Sequence, residues 1–189
     1  MKSNIIKSIR ITLVLTVILC VIYPVAISLA GKLSKGQGNG ETIVVNGKVV
    51  GYANIGQSFT QPKYFWGRPS AVGYNAAGSA GSNKGPSNPD YLKDVSNRID
   101  TLLKYHPYLK RADIPAEMVT ASGSGLDPDI SPAAAKIQIQ RVAKVRGLDV
   151  EAVTALVNQH TEAPLAGLFG PAKVNVLKLN VALDELTKK

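Results

Sequence analysis

The chain has 189 residues, 45% of them hydrophobic, with 17 glycines and a formal net charge of +9, which suits one domain with a real core and many turns. The positive surplus does not point to nucleic acid: five of the 22 basic residues (Lys2, Lys7, Arg10, Lys32, Lys35) flank one apolar run and no acid precedes Glu41, so residues 36–189 carry 17 basic residues against 13 acidic ones. The single cysteine, Cys20, lies inside the apolar run, which leaves the remainder without a disulfide, a redox thiol or a zinc-thiolate site.

Ile11 to Ala30 is that run, uncharged and mostly aliphatic, and about 20 such residues cross a bilayer core as one helix. More positive charge precedes it than follows it, which favours a cytoplasmic N-terminus and an external body. A cleaved secretory signal is the alternative, because Ser28 and Ala30 sit at the spacing of a cleavage site. The run is longer than a signal core, so the expected organisation is an anchor over 1–35, a Gly-rich tether over 36–41 and an extracytoplasmic body over 42–189. Pro24 within the run implies a kink or a packed neighbour that satisfies the freed carbonyl.

Thr42 to Val45 and Lys48 to Gly51 read as strands joined by Asn46-Gly47, the strongest short hairpin signal because both turn positions need positive φ. Phe59, Tyr64, Phe65 and Trp66 supply strand or core material. Arg68 to Pro89, rich in Gly, Ser, Ala, Asn and Pro, is a long loop. From Tyr91 the apolar residues fall on one helical arc up to a stop at Pro107. Ser131-Pro132 caps a helix expected to run to Arg146 and to end at Gly147, and Asp149 caps the next, to about His160. Val176, Leu179, Leu183 and Leu186 form a last helical stripe whose first residues could be a strand. The fold class is α+β: one membrane helix, then a hairpin region and several packed helices.

Two helices around Gly147 outline a helix-turn-helix, but Val150 to His160 holds no Lys or Arg to meet phosphates or guanine. A hydrolase would need Ser122 or Ser124 as nucleophile, yet the nucleophile-elbow spacing is absent from Thr120 to Gly125. His160 falls among apolar helix positions and His106 terminates a helix, so neither reads as a general base. Asp127-Pro128-Asp129 reads as a rigid turn leading to the Ser131 cap, and no metal site is predicted. Gln138 projects into the buried arc of Ala134, Ala135, Ile139, Val142 and Val145, with Arg141 on its flank. A buried amide needs partners; these two either hold the carbonyls of the Gly-rich turn before the helix or contact a ligand.

Several long motifs carry a family resemblance: Gly81, Ser82, Asn83, Gly85, Pro86, Ser87 and Asn88; Ser122, Gly123, Ser124, Gly125, Asp127, Pro128 and Ser131; Gln138 with Arg141; and Asn175 with Asn180. Together they resemble the C subunit of the bacterial Kdp potassium-transporting ATPase nearly end to end. The chain departs from the pattern at Ala163-Pro164 and at Lys84. The resemblance implies a non-catalytic accessory subunit in the bacterial inner membrane, and no P-loop or P-type phosphorylation motif contradicts it. It also implies a potassium-selecting channel-like subunit, a P-type ATPase subunit and a small single-helix subunit as partners. A catalytic-chaperone role is implied too, raising ATP affinity of the ATPase subunit, with ATP shared and Gln138 and Arg141 as nucleotide contacts by family attribution. The charge bias that places their helix outside, away from a cytoplasmic nucleotide domain, favours an indirect effect instead. The loop from Gly81 to Asn88 is the expected docking segment, while Ser122 to Ser131 and Asn175 are structural motifs.

Overall fold

The computed structural model describes residues 2–187; position 1 of the expected anchor and positions 188–189 of the expected body lie outside it. The chain divides into two compact units, Met1–Thr42 and Ile43–Lys189.

The first unit is a helix in two α segments, α1 (Lys2–Val17) and α2 (Tyr23–Gly31), joined by a π turn over Ile18–Ile22. The wider turn sits just before Pro24, whose ring cannot continue regular i−4 bonding. Ser3–Gly31 is 29 residues of apolar helix with none of its most hydrophobic window buried, about 43 Å at 1.5 Å per residue. After it, Gly36 to Gly40 runs through tight turns, with Gln37 N–H bonded to Ser34 O at 2.9 Å and Asn39 N–H to Gly36 O at 2.8 Å.

The second unit begins with the expected hairpin, β1 (Thr42–Val45) and β2 (Lys48–Tyr52), with Asn46 and Gly47 both at positive φ. The aromatic stretch that follows forms no strand: Phe65 is core, Trp66 packs against it, and the backbone runs irregularly. Helix α3 (Pro89–Tyr105) is capped by Asn88, whose side chain accepts from Tyr91 N–H, and ends at His106.

The helix expected from Pro132 to Arg146 is broken into α4 (Pro132–Lys136) and α5 (Ile139–Arg146). Two side chains cause the break. Gln138 Nε2 takes the Ala134 carbonyl at 3.1 Å, so the Gln138 backbone N–H bonds one residue nearer, to Ala135 O at 3.0 Å, and the turn tightens. Tyr108 then inserts its hydroxyl into the ladder, donating to Ile137 O at 2.7 Å and accepting from Arg141 N–H at 3.2 Å, where a regular helix would join those two groups directly. The broken turn changes the buried arc, and Val145 lies 52% exposed rather than in the core.

Gly147 ends α5 at φ 65, and α6 (Val150–Gln159) follows with Asp149 as its cap. β5 (Lys173–Asn175) is the centre of a three-stranded antiparallel sheet between β3 (Asp129–Ile130) and β4 (Thr161–Glu162). α7 (Val176–Leu186) starts directly from β5, so the last stripe is strand and then helix. One core joins these elements, including Phe65, Leu102, Val142, Val153, Leu179 and Leu183.

Candidate functional site

The polar centre of the body is a clamp around the irregular backbone of residues 62–66. Buried backbone outside regular structure must find partners among side chains, and here three polar side chains supply them, two from helices and one from the turn between α4 and α5. Asn180, on the buried stripe of α7, accepts from Phe65 N–H at 2.8 Å and donates to Phe65 O at 3.0 Å. Gln138 does the same one residue on, accepting from Trp66 N–H at 2.8 Å and donating to Trp66 O at 3.1 Å. Arg141 donates through Nη1 to Tyr64 O at 3.0 Å and to Pro62 O, and through Nη2 to Gln138 Oε1 at 2.8 Å.

The Arg141 guanidinium also stacks over Trp66, 4.2 Å from the ring centroid, and its Nε donates to His106 Nε2 at 2.8 Å. That bond fixes the tautomer, because His106 Nδ1 lies 2.7 Å from Leu102 O and must carry the proton. Arg141 is therefore a buried cation held by carbonyls, an amide, a neutral imidazole and an aromatic face, without a carboxylate. Burial lowers its pKa to about 10, still charged at neutral pH, and burial with the Arg141 charge lowers that of His106 to about 4.

Gln138 and Arg141 thus come together as expected, but toward Pro62–Trp66 and not toward the Gly-rich turn, because the face of α4 and α5 that carries them packs on the aromatic stretch. Their hydrogen-bonding groups are committed inside the fold. His106 does end its helix, and it is also the second partner of Arg141, a part that reading it as a terminator misses. Leu102 and His106 are one turn apart on the buried arc of α3, and Leu179-Asn180 sit together on that of α7; a polar residue at a stripe position was the available signal in both cases.

The Gly-rich turn is held differently. Ser70 Oγ donates to Gly125 O at 2.7 Å and accepts from Tyr74 N–H at 2.9 Å, and Ser79 Oγ donates to Ser124 O at 3.0 Å. Gly125 sits at φ 68, and a Cβ there would lie 2.6 Å from Val72 Cγ2 and 2.8 Å from Ala80 O. Arg68 pairs with Asp127 at 2.9 Å. Ser122 to Gly125 is therefore the staple that orders the long loop from Arg68 onward. Ser122 is buried, and Ser124 Oγ accepts from Leu126 N–H at 3.0 Å. Neither histidine is paired with them: His106 is in the clamp and His160 Nδ1 faces Leu156 O at 2.9 Å.

Ser131 caps α4, and Pro128 O accepts from Val176 N–H at 3.0 Å. Asn175 caps α7 while donating to Ala53 O at 2.7 Å and Asp129 Oδ1 at 3.2 Å. Among the described residues no three of His, Cys, Asp and Glu gather as a metal-binding group. Of the loop residues, Ser82, Asn83, Gly85, Pro86 and Ser87 are exposed, Gly81 runs close to Gly123, and Asn88 is spent as the α3 cap.

The described residues thus form an apolar N-terminal helix long enough to cross a membrane and a small α+β body whose buried polar centre is committed to its own backbone. The family model "K+-transporting ATPase, c chain" (KdpC) matches residues 5–185, and the chain belongs to that family. It is 57% identical over 190 residues to the potassium-transporting ATPase KdpC subunit of Bacteroides fragilis strain YCH46, covering 99% of this chain and 100% of the relative. It is 60% identical over 184 residues to the subunit of Flavobacterium johnsoniae, covering 97% and 99%, and 49% identical over 190 residues to that of Caldanaerobacter subterraneus, covering 100% and 98%.

Proposed function

We propose that this protein is the non-pumping accessory subunit of an ATP-driven potassium uptake complex in the bacterial inner membrane. Its helix is a retained single-pass anchor with the N-terminus in the cytoplasm, and its body stands outside. There it stabilises the assembly of a potassium-selecting channel-like subunit, a P-type ATPase subunit and a small single-helix subunit. The observation that carries this reading is the family match over residues 5–185, which takes in helix and body together.

The catalytic-chaperone effect on ATP acts indirectly in this proposal, through a conformational equilibrium coupled across the assembled complex. A direct nucleotide contact at Gln138 and Arg141 would have to open the clamp around Pro62, Tyr64 and Trp66, whose bonds already occupy both side chains. The loop from Gly81 to Asn88, exposed over residues 82–87, docks on the channel-like subunit, its small residues permitting close backbone approach. Asn83 tests that contact better than Asn88, whose loss would also uncap α3.

The test is to tag the C-terminus, extract membranes in mild detergent, identify what co-purifies and measure potassium-stimulated ATP hydrolysis. Recovery of a P-type ATPase and a polytopic channel-like protein is expected, and recovery of the chain alone, shortened and soluble, would overturn the reading. Saturable ATP binding to the full chain that Gln138→Ala abolishes without unfolding it would replace the indirect effect with a direct one.

A further inference from the structure

Beside the clamp lies a groove of about 550 Å³ between the end of α3, the Pro107 turn and the outer side of α5. Its charged lining is wholly cationic: Lys104 from α3, Lys144 from α5 and the buried Arg141, with no carboxylate among the lining residues. Among the described residues neither lysine lies within ion-pair distance of an acid, and Arg141 is bonded only to neutral groups. None of the three charges forms an ion pair among the described residues. The wall between them is apolar and aromatic, with Tyr105, Tyr108 and Val145 all exposed.

Like charges along a low-dielectric wall focus a positive potential into the groove. A free inorganic anion would meet the charges and leave the tyrosines and Val145 in water. A protein segment that carries a carboxylate beside an apolar side chain satisfies both, its carboxylate meeting the two lysines while the buried Arg141 adds only its field. Tyrosine is also among the residue types enriched where interfaces gain most of their affinity. We infer that this groove is a docking site for an acidic segment, an Asp or Glu next to an apolar residue, on another polypeptide of the same complex. The inference rests on the accessory-subunit reading.

The experiment uses the full chain in membranes of cells that make the whole complex, captured by a C-terminal tag in mild detergent. Carbodiimide then joins a lysine amine to a carboxylate it touches, forming an amide while the reagent takes up the lost water as a urea. Peptide mapping should find Lys104 or Lys144 joined to an Asp or Glu of a co-purified polypeptide. The double variant Lys104→Glu/Lys144→Glu should recover partners about tenfold less well, and Lys104→Arg/Lys144→Arg should match the wild type. Both lysines are exposed but lie in the last turns of α3 and α5, where glutamate opposes the helix dipole. The melting of each full-chain variant, followed by Trp66 fluorescence, is therefore compared with the wild type. Lys104→Gln/Lys144→Gln, which removes the charge without reversing it, should lose partners while melting close to the wild type, which separates lost docking from lost folding. A wild-type chain that recovers no partner refutes the accessory reading and this inference with it. Partners recovered equally by the wild type and the double glutamate variant, with crosslinks confined to other lysines, overturn the groove alone. So does a double variant that keeps its partners but loses wild-type binding to phosphatidylglycerol vesicles, which would make the groove a lipid site.

Discussion

Acid should loosen this protein through His106. The ring is fully buried, and Nε2, which accepts from Arg141, carries no proton; protonation would set N–H against N–H and bring two cations together. Burial first, with the Arg141 charge adding to it, holds the pKa at about 4 against an ordinary 6.5, while the bond to Leu102 O pulls the other way. As pH falls through 6.5 the unfolded chain takes up a proton that the native chain refuses until about 4, so this contribution is complete above the unfolded pKa and is lost between the two values. At about 1.4 kcal/mol per pKa unit the gap amounts to about 3 kcal/mol, with about 2 kcal/mol gone by pH 5.

Trp66 is the only tryptophan in the chain and stacks on the Arg141 guanidinium, so its fluorescence reports on the clamp. Urea melts between pH 7.5 and 4.5 should compare the wild type with His106→Gln, whose amide oxygen can stand in for Nε2 and does not titrate. The variant loses the bond to Leu102 O and should start about 1 kcal/mol less stable at neutral pH. The difference should close and then invert as pH falls. Parallel pH profiles for the two proteins, or an NMR titration placing His106 near 6.5, would refute the reasoning.

Arg141→Met should cost about 3 kcal/mol or more in the same melts, because it strips donors from the carbonyls of Pro62 and Tyr64 and from His106 inside the core. Arg141→Lys should recover little, since an ammonium cannot reproduce the planar fork. Tyr108→Phe removes the hydroxyl that bridges Ile137 O and Arg141 N–H; a loss of about 1 kcal/mol and faster hydrogen exchange at the Arg141 amide are expected. Gly125→Ala places a Cβ against Val72 and Ala80 at positive φ, which should cost about 2 kcal/mol and make the loop from Arg68 to Gly81 the first site of limited proteolysis.

Much of this was legible in the residues because it depends on local chemistry. The apolar run over Ile11–Ala30, the Asn46-Gly47 hairpin, the caps at Ser131 and Asp149 and the stop at Gly147 rest on near neighbours and the helical period, and the structure has each of them. Gln138 was legible as a buried amide in need of partners. Its partners were not, since Trp66 lies 72 positions away and nothing in an irregular aromatic stretch says which helix will satisfy its backbone. The same distance hid the break between α4 and α5: propensity and capping favour one helix, and a hydroxyl from Tyr108 divides it.

The sequence by itself therefore determined the two-part plan, the element types, the exclusion of thiol chemistry and, through its long motifs, the family. Tertiary structure alone decided what the polar residues are for. Asn180, Gln138 and Arg141 bond the backbone of residues 64–66 and His106 bonds Arg141, because a buried chain without a strand or helix of its own must borrow hydrogen-bond partners from wherever packing brings them.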